Sequence, residues 1–338
     1  MSRKLRWGIL STAAIGRSAV VPAIAASRNG VLAAVASRNP DAAASFAADL
    51  GIERALPSYE ALIADPDVDA IYNPLPNALH AEWSLRAAKA GKAVLCEKPL
   101  TVDAAGARAL IDGCSAAGAP LMEAFMYRFH PQHERVRQLI AAGAIGDVVE
   151  VRAHLSADIV GRDDPENVRF KAALGGGTLL DMGCYGISVC RMIFGERPAA
   201  VRGWWHRDER FGVDVTAGAI LEFSAGRVGL VTASFAAEGL GFYTVIGRKG
   251  VIEVPRAIIP GQGDRVPETL IVVSDTKGHR TVEELPAVDQ YRLMVEAFAD
   301  AVLEKRPVPL ANADTIDNMM VLDAVARSAA SGRVEPVG

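Results

Sequence analysis

The residue best placed for chemistry is Lys98, which stands between Glu97 and Pro99 directly after the short apolar run 93–96. A run of this kind predicts a buried strand of a parallel sheet. Because ligands of open α/β sheets bind beyond the carboxyl ends of the strands, we expect Lys98 to face a binding crevice. These three residues alone leave open a surface Lys-Glu pair that closes a strand.

A second candidate group lies in the glycine-rich segment 174–185, where Thr178 can cap a helix. Asp181 and Tyr185 are four residues apart, so a helix presents both on one face. A phenol next to an ammonium group can exchange a proton with an alcohol, because the positive charge lowers the phenol pKa. Spacing alone leaves the alternative that Asp181 complements the helix dipole and Tyr185 fills the core.

Other polar residues of the second half are further candidates. Asn167 and Arg169 precede the glycine-rich segment, and they either contact the substrate or belong to a solvated loop. His130 and His133 are three residues apart, a spacing compatible with a metal on one helix face. No third ligand follows at a recognisable interval, so we expect no metal site.

The segment after the first apolar strand predicts a cofactor loop. Dinucleotide-binding folds use Gly-x-Gly-x-x-Gly at this place, for a tight turn and close approach to the pyrophosphate. Here only the third glycine is kept, but small residues still let backbone N–H groups at a helix N-terminus face an anion. The alternative is an ordinary strand-turn-helix. The six expected cofactor contacts are Ser11, Thr12, Ala13, Ala14, Ile15 and Gly16.

The end of the second strand predicts which nicotinamide cofactor is bound. An NAD-specific fold usually has an acidic residue about 20 positions after the loop, whereas this chain has Ser37 and Arg38. A hydroxyl and a guanidinium suit a 2′-phosphate, so we predict NADP in preference to NAD. The alternative is that Arg38 begins a loop and caps the following helix.

The loop after the next buried strand is rich in proline and asparagine, which predicts a rigid loop beside the nicotinamide. From it we expect Leu75, Pro76, Asn77 and His80 to contribute to the cofactor site. For His80, a hydrogen-bonded structural histidine in the first turn of a helix is the alternative.

Charge and composition exclude several functions. A net charge of -4 and a pI near 5.9 leave no basic stripe for nucleic acid. No run approaches the ~20 apolar residues that span a bilayer. Four cysteines without Cys-x-x-Cys spacing are typical of a reduced compartment. The basic and apolar start imitates a signal peptide, but Arg17 interrupts it and cleavage near Ala25 would remove the cofactor loop, so we expect a cytoplasmic protein.

Together these motifs resemble the glucose-fructose oxidoreductase/inositol dehydrogenase (Gfo/Idh/MocA) family over nearly the whole chain. Within it, the chain is most similar to the branch of dimeric dihydrodiol dehydrogenase, NADP-dependent xylose dehydrogenase and glucose-fructose oxidoreductase. The resemblance implies that Asp181 and Tyr185 act opposite Lys98, and that Glu97 and Arg128 belong to the cofactor site. The motifs that carry it are 11–16, 37–38, 76–80, 90–99 and 123–131.

Length and pattern predict two α/β domains, because 338 residues exceed the usual single core. We place a Rossmann dinucleotide-binding domain at 1–124. Residues 125–338 are expected to form an α/β domain with a large, mostly antiparallel open sheet. Such a sheet needs a cover, and we expect a second subunit to supply it in a homodimer or homotetramer. Trp204, Trp205 and Phe235 either contribute to that surface or pack in the core.

The resemblance implies an oxidoreductase that transfers hydride between a nicotinamide and a secondary alcohol or hemiacetal of a sugar-like substrate, and Ser37 and Arg38 favour NADP as its cofactor. Tyr185 exchanges the substrate proton, and Lys98, held by Glu97 or Asp181, donates a hydrogen bond to the same oxygen. Asn167 and Arg169 complete the expected substrate contacts. The alternatives are an aldose-aldose oxidoreductase that recycles bound cofactor, a ketosugar reductase, and a non-enzymatic NADP-sensing regulator.

Overall fold

The computed structural model describes residues 3–162, 164–260 and 269–338, which form two compact units. The first unit comprises Met1–Phe129 and Asp289–Ile316, and the second comprises His130–Val288 and Asp317–Gly338. This division differs from the predicted domains 1–124 and 125–338, because a C-terminal segment returns to the first unit. An amphipathic helical pattern shows that a helix has a buried face but not which sheet it covers.

The first unit is a six-stranded parallel sheet in the order β3-β2-β1-β4-β5-β6. Apart from the edge strand β3, its strands are largely apolar and buried on both faces, as parallel strands covered by helices must be. The strands are β1 (Leu5–Leu10), β2 (Gly30–Ala36), β3 (Arg54–Leu56), β4 (Ala70–Asn73), β5 (Ala93–Cys96) and β6 (Leu121–Glu123). The predicted Rossmann fold of this half is confirmed.

Several helices of the first unit begin at polar side chains that accept hydrogen bonds from the first turn. Asn39 caps α2, Ser58 caps α3 and Asp103 caps α5. The helix from the C-terminal segment, α8, packs on the sheet, with the Phe298 ring 5.5 Å from that of Trp7. The helices are α1 (Val21–Ala26), α2 (Pro40–Leu50), α3 (Tyr59–Ala64), α4 (His80–Lys89), α5 (Ala104–Ala116) and α8 (Gln290–Leu303).

The second unit is built on a nine-stranded sheet in the order β14-β13-β12-β11-β7-β10-β9-β8-β15. All neighbouring pairs are antiparallel except β7 and β10, so the predicted mostly antiparallel sheet is confirmed. The strands are β7 (Val148–Ser156), β8 (Ala200–Arg207), β9 (Asp214–Glu222), β10 (Val228–Ser234), β11 (Leu240–Gly247), β12 (Gly250–Val254), β13 (Leu270–Asp275), β14 (Arg280–Glu284) and β15 (Glu335–Pro336).

One face of this sheet is covered by α7 (Cys184–Phe194), which packs on β7 and β10. The helix approaches closely, since a Cβ on Gly186 would lie 2.6 Å from Val231 Cγ1. The opposite face carries exposed apolar side chains, including Trp204 and Ile220. The remaining helices are α6 (Pro131–Ala141) and α9 (Asn312–Ser331). The residues of α9 up to Ile316 belong to the first unit.

Candidate active site

Lys98 follows β5 at the carboxyl edge of the parallel sheet, as the sequence predicts. It is half-buried, and its backbone N–H donates to Glu97 Oε2 at 3.3 Å. The other oxygen of Glu97 accepts a 2.7 Å hydrogen bond from the Tyr72 hydroxyl. Complete burial raises the pKa of Tyr72 well above its ordinary value, so this hydroxyl stays a proton donor. Glu97 therefore stabilises the turn that carries Lys98. Its partner Tyr72 was not predicted from the sequence.

His80 joins two loops at this edge of the sheet. It is fully buried, with Nδ1 2.9 Å from the Pro99 carbonyl oxygen and Nε2 2.6 Å from the Leu75 carbonyl oxygen. Burial lowers its pKa to about 4, so the ring is neutral at pH 7 and donates to one of the two carbonyls. This placement supports the alternative of a structural histidine, since both ring nitrogens are occupied by backbone groups.

The cofactor loop has the backbone of a tight turn although its first glycine is replaced. Ser11 adopts φ 72°, in the left-handed region that glycine usually supplies. Its N–H donates to Ala36 O at 2.7 Å, and its hydroxyl accepts from Ala13 N at 3.3 Å. A π-helical turn, Gly16–Val20, then leads into α1. The loop thus keeps the turn that a dinucleotide site needs.

Arg38 lines a cavity of about 460 Å³ in the first unit. Asn39, and not Arg38, caps α2, so the capping alternative for Arg38 is wrong. A hydrogen bond and the charge of Arg38 both act on Tyr59, although burial is the larger influence and raises the Tyr59 pKa. Ser37 is buried, and its hydroxyl accepts from Asn39 N. The cavity lining is Arg38, Pro57, Ser58, Tyr59, Glu60, Leu75, Pro76, Leu79 and Trp83.

Three predicted cofactor residues, Arg38, Leu75 and Pro76, therefore share one cavity. Sequence reasoning missed Tyr59 and Trp83, whose rings meet edge to face at 4.9 Å. No sequence motif marks these two residues, because an aromatic residue on the inner face of a helix is common and does not by itself indicate a binding site.

Arg128 is held within the first unit by Asp314, at 3.2 Å from Nη1 to Oδ2. The charge of Asp314 and a contact with Tyr127 raise the Arg128 pKa against the effect of burial. Asp314 lies 186 residues further along the chain, so spacing could not have revealed this pair. The role of Arg128 towards a cofactor stays a prediction.

The predicted substrate residues of the second unit are linked to one another. Arg169 Nε donates to Asp181 Oδ2 at 2.7 Å, and the Asn167 side chain accepts from Arg169 N at 3.1 Å. The guanidinium is 43% exposed and the carboxylate 16%, so the pair is partly hydrated. The structure thus brings Asn167, Arg169 and Asp181 together.

Asp181 lies in a π-helical turn, Leu179–Gly183, that precedes α7, and Tyr185 is the buried second residue of α7. The predicted regular helix is therefore wrong over the turn that contains Asp181. Such π-helical turns interrupt α-helices and frequently occur at functional sites.

The predicted capping role of Thr178 is also wrong. Thr178 has helical backbone angles and makes no capping hydrogen bond with its side chain. Instead, the Asp214 carboxylate accepts from Leu179 N at 2.6 Å. A Cβ on Gly177, whose φ is 114°, would lie 2.1 Å from Asp214 Oδ1, so only glycine fits beside this carboxylate. Asp214 lies 35 residues from Leu179, beyond any local capping signal.

The two histidines of α6 have structural partners. His130 accepts from Gln132 N at the helix start. His133 Nδ1 lies 3.0 Å from the Tyr243 hydroxyl and Nε2 3.1 Å from the Ala257 carbonyl oxygen. In the described part of the chain, no three His, Cys, Asp or Glu side chains are arranged to hold a metal ion. Nor does any described helix combine the length and apolar character that crossing a bilayer requires.

A parallel dinucleotide-type sheet with a lysine at its carboxyl edge, followed by a large open sheet, defines a class of nicotinamide-dependent oxidoreductases. The model of the oxidoreductase family with an NAD-binding Rossmann fold matches residues 5–125, and that of the GFO/IDH/MocA C-terminal domain matches residues 133–253. The chain belongs to the Gfo/Idh/MocA oxidoreductase family, which confirms the resemblance found in the sequence.

Three similar proteins show the range of activities among relatives of this chain. The NADP(+)-dependent D-xylose 1-dehydrogenase 2 of Haloferax volcanii is 38% identical over 97% of this chain and 98% of its own. A 3-ketoreductase from Actinomadura kijaniata, solved with NADP and TDP-benzene, has a TM-score of 0.90 at 31% identity over 96% and 98%. An aldose-aldose oxidoreductase from Caulobacter crescentus, solved with glycerol, has a TM-score of 0.89 at 29% identity over 99% and 100%.

Proposed function

We propose that this oxidoreductase uses NADP to interconvert a CH–OH group and a carbonyl group on a sugar-like substrate. The observation that carries the proposal is the braced Lys98 turn at the carboxyl edge of the dinucleotide-type sheet. The D-xylose dehydrogenase relative, which spans nearly the same length, supports the substrate class.

The residues of the first unit fit NADP. The Arg38 cavity combines a guanidinium with the rings of Tyr59 and Trp83, which suits an adenosine that bears a 2′-phosphate. Ser11 supplies the left-handed turn that lets the backbone approach a pyrophosphate. When bound, the nicotinamide supplies the hydride acceptor or donor.

The side chains then have the following roles. Tyr185 exchanges the proton of the substrate oxygen, and the Lys98 ammonium donates a hydrogen bond to that oxygen. Arg169 and Asp181 bind and orient the substrate hydroxyl groups, and Asn167 fixes the backbone of Arg169.

The test is turnover by Lys98→Met and Tyr185→Phe, assayed separately with a panel of pyranoses, inositols and cyclic diols. Each substitution should lower kcat by ~100-fold or more and leave NADPH binding within a few-fold of wild type. Lys89→Met is the matched control, because Lys89 is exposed on α4. Full activity of both site variants would overturn the proposal.

A reductive direction is the second candidate, and the high structural similarity to a 3-ketoreductase favours it. A ketosugar reductase should turn over ketoses with NADPH faster than it oxidises the corresponding alcohols. Cofactor that copurifies and resists dialysis would instead indicate recycling between two aldoses. If NADPH binds but the whole panel gives no turnover, an NADP-sensing role becomes the better account.

We also propose that the second unit's open sheet face binds a second copy of the chain, giving a homodimer or homotetramer. Trp204 is 59% exposed and lies opposite Gly218, while Ile220 pairs with Leu230 on the same face. Such an apolar face suits an interface. Light scattering after size exclusion should give a dimer or tetramer, and Trp204→Asp should reduce that mass.

A reducing compartment, and so a cytoplasmic location, forms the last part of the proposal. All four cysteines are described and buried, and the structure joins none of them in a disulfide. Fractionation of source cells should place the protein with cytoplasmic markers, and recovery from an oxidising compartment would contradict this part.

A further inference from the structure

Glu123 is a buried carboxyl at the same edge of the sheet as Lys98, and the mechanism above does not use it. It ends β6 and is 2% exposed. In the parallel register, Glu123 pairs with Cys96 of β5, so it lies beside the strand that leads into Lys98. A carboxyl group this deeply buried costs stability unless its surroundings satisfy it.

The contacts of Glu123 point to the lysine turn. Its Oε1 accepts a 2.8 Å hydrogen bond from the backbone N–H of Leu100, two residues after Lys98. Among the described residues, Oε2 is buried and has no partner at hydrogen-bonding distance. The carboxyl thus fixes one peptide group of the turn through Oε1. The energetic cost of burying Oε2 depends on whether the carboxyl is protonated.

The single peptide group that joins Pro99 to Leu100 is therefore held at both of its polar atoms by two different side chains. His80 contacts its carbonyl oxygen, and Glu123 accepts from its N–H. Fixing this peptide group restricts the directions available to the nearby Lys98 side chain, since the turn cannot rotate without breaking a buried hydrogen bond.

The charged groups around Glu123 come from two elements besides its own. Burial, the largest influence, raises the Glu123 pKa to about 7. The neighbouring Thr315 side chain lowers it, the charge of Asp314 in the first turn of α9 raises it, and the charge of Lys98, after β5, lowers it by a smaller amount. Arg128 pairs with Asp314, and His80 is neutral at pH 7.

We propose that Glu123 is a positioning residue for Lys98, which holds the turn through Leu100 and, when ionised, stabilises the Lys98 ammonium by its charge. This inference rests on the proposed function only in taking Lys98 as the reacting lysine. The carboxylate favours the charged lysine because opposite charges attract, and the Lys98 charge in turn lowers the Glu123 pKa.

The central test compares Glu123→Gln with wild type. Glutamine keeps a carbonyl oxygen for Leu100 N but cannot ionise, so the fold is retained while the charge is lost. We expect kcat to fall by about 5- to 20-fold, NADPH affinity to stay within about twofold, and the alkaline limb of the kcat profile to move towards acid. The control Asp65→Asn changes a buried carboxyl before β4, at the opposite edge of the sheet, and should leave the profile unchanged.

The pKa of Lys98 gives a readout that does not depend on turnover. With carbon-13 at lysine Cε and the signal assigned by Lys98→Met, Glu123→Gln should make Lys98 titrate at lower pH. An unchanged Lys98 pKa together with a wild-type kcat profile would overturn the inference. If Lys98→Met itself stays active, the proposed function fails, whatever Glu123 does.

Discussion

The two groups of candidate catalytic residues are held in opposite ways. The turn that carries Lys98 is fixed by buried partners with shifted pKa values: Tyr72 on Glu97, His80 on Pro99 and Glu123 on Leu100. Asp181, in its π-helical turn, is instead held by a partly hydrated ion pair with Arg169. Buried hydrogen bonds fix geometry, whereas exposed ion pairs adjust at little cost. The lysine turn is thus the rigid part of the candidate active site, and the Asp181–Arg169 group is the adaptable part.

The largest effect should follow from breaking the rigid part. His80→Ala removes a buried ring and both of its carbonyl contacts, which should lower the free energy of unfolding by about 2–4 kcal/mol. It should also lower kcat, because the Pro99 carbonyl is released. Denaturant unfolding and steady-state kinetics measure the two effects, and a fully active, fully stable variant would show that the turn does not need His80.

The rigid part should also give a distinctive dependence of stability on pH. Burial lowers the pKa of His80 in the folded state to about 4, below the ordinary histidine value of about 6.5, so the unfolded chain binds more protons between these two pH values. His80 should therefore destabilise the fold by up to about 3 kcal/mol as pH falls from 6.5 to 4. Glu123 has the opposite sign, because its raised pKa of about 7 makes its ionisation oppose folding as pH rises from 4.5.

Matched variants separate these two contributions. Relative to wild type, Glu123→Gln should gain stability as pH rises from about 4.5 to about 7. In contrast, His80→Gln should gain stability as pH falls from about 6.5 to about 4. Urea unfolding at several pH values measures both, and parallel curves for the three proteins would contradict the buried, shifted pKa values.

The cofactor cavity should give an intermediate effect. Arg38→Ala should weaken NADPH binding by about 10- to 100-fold, because charge-assisted hydrogen bonds to a phosphate are lost, and it should leave NADH binding nearly unchanged. Fluorescence titration with both cofactors measures the ratio. Arg108→Ala is a suitable control, since Arg108 is exposed on α5 and is not among the residues that line the cavity. Equal affinity of wild type for both cofactors would defeat the NADP preference.

The smallest effect on stability should come from the adaptable part. Arg169→Gln should change the free energy of unfolding by less than about 1 kcal/mol, since the guanidinium is largely hydrated. If the pair orients substrate, KM should rise several-fold, and high salt should reproduce part of that rise in wild type. Steady-state kinetics against ionic strength checks this, and an unchanged KM would remove Arg169 from the substrate site.

The same contrast explains how much the sequence could predict. Apart from the short strand β3, which the sequence did not predict, the strands of the first unit follow from apolar runs, and the position of Lys98 follows from a strand that ends at Cys96. The sequence did not reveal the side chains that hold the Lys98 turn, because Tyr72 and Glu123 lie on neighbouring strands. Thr315, which lowers the Glu123 pKa, lies far along the chain. Only the folded sheet brings these residues together.

In the second unit, the sequence predicted the candidate residues better than their local structure. Asp181 and Arg169 were both named, and the structure pairs them. The π-helical turn and the Asp214 cap escaped notice, because a helical pattern does not reveal one extra residue in a turn and Asp214 lies on a distant strand.

The most direct test of the account is a crystal structure with NADP and the best substrate from the panel. The account predicts that the reacting substrate oxygen lies within hydrogen-bonding distance of both Lys98 Nζ and Tyr185 Oη, with the 2′-phosphate against Arg38. A substrate bound with its reacting oxygen on neither Lys98 nor Tyr185 would contradict it.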